Sequence, residues 1–356
     1  MNFTKQFMAA VSAVTVLAGC AWAGAGLDQL ESSAPEVKLS VPQPVMKGGG
    51  GSAASQYYKP GSFAAAAEAA YRGNANYITL YAMPSPHPMN WKTITTLAGS
   101  FARNQLAVQL KGQTHAIGHV AFEIGCTLPD GRRTTLVSGQ VPKDKDSMGG
   151  FTEQVKAGAG YSALFGYVPG RLQNRTELEK ELDTLSNQAN EIAFLTLKVS
   201  QASCLDAQHY VTEYDREDVD TRYGLGVRPL YKEGGGCANV GVSVVEVAGP
   251  SDFAALSKPW SRTFYVPQEL LGDGQNNVGI GDVASYWKYD WSKEISGPHK
   301  KLFFYDPDLV YKWVRSPELG HGTAKYENYA INKSVGLTVD YTAASSPAQW
   351  WRTDAR

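Results

Sequence analysis

One cysteine of this chain follows a run of three glycines. Cys237 comes directly after Gly234, Gly235 and Gly236. A thiol at the N-terminus of a helix lies at the positive end of the helix dipole, which favours the thiolate over the thiol. Glycines at this position allow a positive φ and let a carbonyl group approach the backbone closely. We interpret Cys237 as a candidate nucleophile; the alternative is an inert core cysteine, because cysteine is among the most buried residue types.

The segment after Cys237 decides whether this dipole exists. Its valines fit helical spacing and strand spacing equally well. Gly249 and Pro250 together form a helix stop signal. We therefore predict a helix over 238–248, although valine and glycine are poor helix formers.

The candidate base for this thiol is a histidine on an earlier predicted strand. His119 lies within residues 116–124, and on a strand it shares one face with Ala121 and Glu123, while apolar residues share the other face. An imidazole at this position could accept the thiol proton and form a thiolate–imidazolium pair. A structural histidine, hydrogen-bonded at a sheet edge, is the alternative.

A metal site is a second interpretation of the same region. His115, His119 and Glu123 are spaced four residues apart, so on a helix they would share one face and could hold zinc. On a strand, four residues span about 13 Å, which is too far for one ion. Because Gly118 and its β-branched and aromatic neighbours favour a strand, we predict no metal site and no cofactor.

The N-terminus has the pattern of a bacterial export signal. Lys5 precedes an apolar stretch over 7–17 that is too short to span a membrane. We predict a signal peptide over 1–19, followed by a flexible tether over 20–56 that is rich in Ser, Pro, Ala and Gly.

Two cleavage sites compete at the end of this signal. Residues 17–20, Leu-Ala-Gly-Cys, fit a lipoprotein site, after which Cys20 would carry lipid and become the first residue. Residues 21–23, Ala-Trp-Ala, fit ordinary signal cleavage. The first interpretation predicts a protein held by lipid on the periplasmic side of a bacterial membrane, and the second predicts a periplasmic or secreted protein.

The cysteine count and the composition restrict the class of protein. If Cys20 carries lipid, three cysteines remain in an oxidising compartment, and a disulfide between Cys126 and Cys204 would leave Cys237 free. Three reduced, buried cysteines are the alternative.

The composition fits a globular protein. Hydrophobic residues at 43% and charged residues at 19% fit a globular core, and a net charge of −1 gives no reason to expect a nucleic-acid partner.

The remaining elements are predicted from hydrophobic periodicity and turn residues. Strands are predicted over 77–82, 106–110, 116–124, 134–141 and 302–305, and a turn at 129–131 joins the third and fourth into a hairpin. A helical region is predicted over 176–215, in which 194–199 is either a strand or a continuation of the helix, with short helices over 63–71 and 309–314.

The order of these motifs resembles the circularly permuted papain-like hydrolases, a group that includes lecithin retinol acyltransferase and relatives of the bacterial NlpC-type cell-wall peptidases. The histidine of residues 118–124 comes before the cysteine that opens a helix, whereas the usual papain order is the reverse. The resemblance implies an α+β fold in which an antiparallel sheet packs against the helix bearing the cysteine. It implies that Cys237 is the nucleophile and His119 the base.

The resemblance also implies a third polar residue that orients the imidazole. The strand after the histidine offers Ser138 and Gln140, and Glu123 on the histidine's own strand is a further candidate. The implied catalytic domain covers 57–250 with a helical insertion near 176–215, and an aromatic-rich extension over 251–356 packs on the same domain.

These observations predict a cell-envelope cysteine hydrolase that cleaves an amide, with a peptide or a peptidoglycan stem peptide as substrate. An acyltransferase or a thioesterase would use the same cysteine and histidine. A non-catalytic envelope lipoprotein, which uses the fold as a scaffold or binding module, is the alternative from another class.

Overall fold

The computed structural model describes most of the chain after residue 61. The described residues are 62–67, 69, 75–111, 115–143, 154, 157–273, 276–279, 282, 286, 289–316 and 326–353. The predicted signal peptide, the lipid site at Cys20 and the predicted tether lie outside the described residues.

The described residues form ten strands and seven α-helices in an α+β arrangement. The strands are β1 (Tyr77–Met83), β2 (His119–Thr127), β3 (Arg133–Pro142), β4 (Val168–Leu172), β5 (Ala193–Lys198), β6 (Arg222–Tyr223), β7 (Ser261–Pro267), β8 (His299–Tyr305), β9 (Tyr326–Ile331) and β10 (Ser334–Asp340). The helices are α1 (Phe63–Ala67), α2 (Ile94–Lys111), α3 (Arg175–Ser186), α4 (Gln201–Arg216), α5 (Cys237–Ala248), α6 (Phe253–Ser257) and α7 (Pro307–Arg315).

Eight of these strands form one sheet in the order β6-β4-β3-β2-β1-β5-β10-β9. All neighbours in this sheet are antiparallel except β5 and β10, which run parallel. Strands β7 and β8 pair antiparallel as a separate ribbon.

Helices cover both faces of the sheet. On β2, Val120 and Phe122 belong to the large core that the sheet forms with α4, α5 and α7. Ala121 faces the other way, into a smaller core with α1 and α3. Because successive side chains of a strand alternate between faces, β2 supplies both cores, and the alternation that the sequence predicts for this strand is confirmed.

The last third of the chain has two roles in the architecture. Strand β10 pairs with β5, so the segment 326–340 completes the main sheet. The ribbon of β7 and β8 instead belongs to a third apolar cluster, in which Phe264 stacks between Trp91 and Trp291. Two separate parts of the fold therefore depend on residues after 250.

Most of the predicted elements are confirmed. The strands over 77–82 and 302–305, the hairpin of β2 and β3, and the helix over 309–314 all appear with small shifts of their ends. The helical region over 176–215 contains two helices separated by β5, so 194–199 is a strand.

The strand predicted over 106–110 is wrong, because these residues end helix α2. Leu106 and Leu110 are 44% and 75% exposed. The apolar alternation therefore does not mark a buried strand face here, and Ala, Leu and Gln are good helix formers.

Candidate active site

Helix α5 begins at Cys237, as the sequence predicts. Gly236 caps its N-terminus in an extended conformation, and Gly249 ends it with a left-handed φ of 64°. All but one of its twelve residues are buried. Packing on both sides therefore outweighs the low helix propensity of its valines and glycine.

The glycine run before this helix packs a loop tightly against β6. Gly234 has a φ of +100°, and a Cβ there would lie 2.2 Å from the carbonyl oxygen of Arg222. The N–H of Gly235 donates to that same oxygen at 3.0 Å. The positive φ is confirmed at Gly234, where glycine allows the loop to pack closely on β6.

The sulfur of Cys237 lies beside the first residues of β2. The thiol donates to the carbonyl oxygen of Gly118 at 3.9 Å, and the N–H of Val120 donates to the sulfur. Burial alone would raise the pKa of the Cys237 thiol, but the neighbouring His119 imidazole, together with hydrogen bonds from the N–H of Val120 and the hydroxyl of Tyr223, outweighs burial, so the pKa is lowered. The structure therefore brings together the two residues that the sequence pairs.

The imidazole of His119 has a second polar partner that the sequence analysis missed. Its Nε2 lies 3.0 Å from Oε1 of Gln173, which directly follows β4. The N–H of Gln173 donates to the carbonyl oxygen of Gly139 at 2.7 Å, so β3 holds this residue in place. A Cβ on Gly139 would lie 2.6 Å from Oε1 of Gln173 and 3.0 Å from Nε2 of His119, so only glycine leaves room for this contact.

The residues predicted to orient the imidazole have other partners. Ser138 donates to the backbone carbonyl of Gln173 at 2.9 Å, and so helps to hold Gln173 in place. The amide of Gln140 donates to the carbonyl oxygen of Asp220. Because β2 pairs with β3 in the register that places Gly139 opposite Ala121, Ser138 and Gln140 point to the face opposite to His119.

Glu123 is fully buried on the same face of β2 as the histidine, four residues along the strand. The hydroxyls of Tyr77 and Tyr81 on β1 donate to its two carboxylate oxygens. Four strand residues span about 13 Å, so we assign Glu123 to the packing of the sheet rather than to the orientation of the imidazole.

Residues 116–118 are not part of a strand, contrary to the prediction. Strand β2 begins at His119, and the preceding bend folds His115 back so that the two imidazole rings stack with centroids 4.4 Å apart. Nε2 of His115 lies 2.6 Å from Oε1 of Glu181 on α3, and Nε2 of Gln173 donates to Oε2 of Glu181 at 3.2 Å. Within the described part of the chain, no group of three or more His, Cys, Asp or Glu side chains is arranged to hold a metal ion.

A tyrosine of β6 lies over the sulfur. The hydroxyl of Tyr223 donates to the sulfur of Cys237 at 4.0 Å, and the N–H of Cys237 donates to the same phenolic oxygen. Burial raises the pKa of Tyr223, and the negative charge of the neighbouring thiolate raises it further, so the hydroxyl keeps its proton. Tyr223 is partly buried, whereas Cys237 and His119 are only 7% and 2% exposed.

A disulfide joins Cys126 of β2 to Cys204 of α4, and Cys237 is the free cysteine of the described chain. The covalent link attaches α4 to the strand that carries His119. The pairing corresponds to the disulfide considered in the sequence analysis.

Gln173 had one signal in the sequence. Asn174 caps α3 in a capping box with Glu177, so Gln173 stands at a junction between a strand and a helix. The short strand before it contains Pro169 and Gly170, both depleted in strands. The position of Gln173 next to the imidazole therefore depends on a pairing that periodicity does not indicate.

Comparison of the chain with protein-family models, with curated proteins and with solved structures found no match. Among the residues that the structure describes, none of the helices combines the length and the apolar composition of a membrane-spanning segment. The chemistry of the site is therefore inferred from its residues and their geometry.

Proposed function

We propose that this protein is a cysteine hydrolase of the cell envelope that cleaves an amide bond, built on a permuted papain-like core. The observation that carries the proposal is the chain of contacts from the Cys237 sulfur through the His119 imidazole to the Gln173 amide. A nucleophile, a base and a group that orients the base are the three parts of nucleophilic catalysis by a thiol.

The contacts assign a role to each nitrogen of the imidazole. Because Oε1 of Gln173 can only accept, Nε2 of His119 carries a proton. In the neutral ring, Nδ1 is then the unprotonated nitrogen, and it takes the proton of the thiol. The thiolate–imidazolium pair that results keeps both hydrogen bonds.

The reaction proceeds through a thioester. The thiolate of Cys237 attacks the amide carbon, the C–S bond forms, and the carbonyl π electrons move to oxygen. Collapse of this intermediate breaks the C–N bond, and the imidazolium of His119 gives its proton to the leaving amine. Water then attacks the thioester, His119 takes a proton from it, and the returning electron pair expels the thiolate and releases a carboxylic acid.

The oxyanion of this intermediate has two donors within reach. The N–H of Cys237 lies at the N-terminus of α5, where backbone N–H groups and the helix dipole favour negative charge. It donates to the oxygen of Tyr223 in the resting structure. A substrate oxygen would replace that phenolic oxygen as acceptor, and the neutral hydroxyl of Tyr223 could then donate to it.

The substrate class follows from the predicted compartment. An export signal followed by a lipid site at Cys20 would hold the domain at the periplasmic side of a bacterial membrane, where stem peptides of peptidoglycan are accessible. We therefore propose a peptide or peptidoglycan amide as the substrate. The same residues would serve acyl transfer or thioester hydrolysis. Acyl transfer differs in the group that accepts the acyl, and thioester hydrolysis differs in the acyl donor.

A non-catalytic envelope lipoprotein is the second candidate. The low exposure of Cys237 and His119 favours it, because a substrate must displace Tyr223 before it reaches the sulfur. On this alternative, the site is a buried polar cluster that stabilises the domain.

Digestion of purified peptidoglycan tests the enzyme proposal. We expect mass spectrometry to detect new amine and carboxyl ends released by the wild type, and none released by Cys237→Ala or His119→Ala. Gln188→Ala, at an exposed position after α3, is the matched control and should cleave normally. If the wild type and Cys237→Ala give the same products, this substrate proposal fails.

A further inference from the structure

A carboxylate lies behind the residue that orients the imidazole. The side chain of Glu181 on α3 is only 9% exposed. Such a group is costly to bury unless it is hydrogen-bonded. Oε2 accepts from the amide of Gln173 at 3.2 Å, and Oε1 lies 2.6 Å from Nε2 of His115.

We propose that Glu181 is a positioning residue of the catalytic centre, which fixes the amide of Gln173 so that its oxygen faces His119. This inference rests on the proposed function, because it concerns the base of the proposed Cys–His pair. Glu181 contacts neither the sulfur nor the substrate, and it acts through Gln173.

The argument depends on which end of the Gln173 amide faces which partner. A carboxylate accepts hydrogen bonds and donates none. It therefore attracts the NH₂ of Gln173 and repels its oxygen, which leaves Oε1 directed at His119. In the reversed orientation, the NH₂ would donate to Nε2 of His119, the proton would move to Nδ1, and the ring could no longer accept the thiol proton.

His115 holds the other oxygen of this carboxylate. Its ring also stacks on the ring of His119, with an interplanar angle of 20°. The ring of His115 therefore holds Glu181 and also restricts the plane of the His119 imidazole. This arrangement fixes the rotamer of Glu181 and the orientation of His119 together.

Glu181→Gln tests the proposal, because it keeps the size of the side chain but lets either end of the new amide face Gln173. The first measurement is the tautomer of His119 by ¹⁵N NMR at pH 8, in a Cys237→Ala background that removes the thiol as a proton donor. We expect protonated Nε2 in the background protein and a substantial population with protonated Nδ1 after Glu181→Gln.

The second measurement is the alkylation of Cys237 by iodoacetamide across a pH series, followed on the tryptic peptide 233–262. With Cys237 restored, we expect Glu181→Gln to lower the rate at pH 7 several-fold. Glu181→Leu, which has no acceptor, should lower it likewise and serves if Glu181→Gln does not fold. Glu179→Gln, whose carboxylate pairs with Arg175 on the same helix, is the control and should leave the rate unchanged.

Unchanged His119 protonation and unchanged alkylation in folded Glu181 variants would overturn the proposal. His119→Ala distinguishes this outcome from failure of the proposed function. If His119→Ala slows alkylation and the Glu181 variants do not, only the role of Glu181 is wrong. If His119→Ala has no effect either, the Cys–His pair itself is wrong.

Discussion

Gln140 lies on β3 and Gln173 directly follows the neighbouring strand β4, but of these two glutamines only Gln173 contacts the imidazole. Residue types alone identified Cys237 and His119, because a thiol at a helix start and a histidine on a strand each carry a local signal. The orienting group, Gln173, carries only its position before the capping box of α3. Gly139 makes the contact between Gln173 and His119 possible, because a Cβ at this position would lie 2.6 Å from Oε1 of Gln173 and would clash with it.

Gly139→Ala is therefore expected to separate Gln173 from His119. The added methyl group must displace one of the two polar atoms, which lie 2.6 Å and 3.0 Å from it. We expect the pKa of Cys237 to rise, because the imidazole that stabilises the thiolate is then less well held, and the thiolate fraction at neutral pH to fall. Alkylation rates across a pH series measure this shift. Gly297→Ala, where nothing lies within 4 Å of the new methyl group, should leave the pKa unchanged.

At the scale of elements, the sequence analysis predicted the helices and strands that local patterns specify. The hairpin of β2 and β3 follows from two apolar runs around a Pro-Asp-Gly turn, and α5 follows from its glycine–proline stop. Strand β4 was not predicted, because Pro169 and Gly170 interrupt it. It pairs with β3 and β6, and it carries Gln173 to the site through contacts distant in sequence.

Asp220 anchors β4, and its ionisation should make stability depend on pH. Its carboxylate accepts from the N–H of Leu172 at 3.3 Å, and it is 8% exposed. Burial raises the pKa of Asp220 to about 6, and the charge of Asp215 adds to this. A raised carboxyl pKa means that the folded state binds the proton more tightly than the unfolded state, whose pKa is about 3.9. Stability is thus fully present below about pH 4 and declines as the pH rises to about 6.

Asp220→Asn keeps an acceptor for Leu172 and removes this titration. In the wild type, we expect the free energy of unfolding to fall by at most about 3 kcal/mol between pH 4 and pH 7. In Asp220→Asn, this fall should be absent. Urea denaturation at the two pH values measures the difference. An equal decline in variant and wild type would show that Asp220 does not titrate in this range.

At the scale of the whole molecule, residues distant in sequence build one sheet around the site. Strand β10 pairs with β5 in parallel, a long-range pairing that hydrophobic periodicity does not specify. At the other end of the sheet, Tyr223 of the edge strand β6 contacts the sulfur of Cys237, a residue that is only 7% exposed. We therefore expect the ring of Tyr223 to limit access to the sulfur.

Tyr223→Ala should expose the sulfur. We expect the alkylation rate of Cys237 to rise several-fold on the high-pH plateau, where the thiol is fully ionised and the rate reports access alone. Tyr329→Ala, at a partly buried tyrosine of β9 on the opposite edge of the sheet, is the matched control and should not change that plateau. Equal plateaus for Tyr223→Ala and the wild type would show that the ring does not limit access.

The pH at which Cys237 ionises is the most direct test of the central claim that its sulfur and the imidazole of His119 form a working pair. Alkylation of the tryptic peptide 233–262 across a pH series gives this value for the wild type and for His119→Ala. In the wild type, the midpoint should lie below that of an ordinary cysteine, because the His119 imidazole and the hydrogen bonds to the sulfur together outweigh the burial of the thiol. In His119→Ala the midpoint should be higher than in the wild type, since burial is then opposed only by the hydrogen bonds from the N–H of Val120 and the hydroxyl of Tyr223. A wild-type midpoint at or above the ordinary value, or one that His119→Ala leaves in place, would contradict the account.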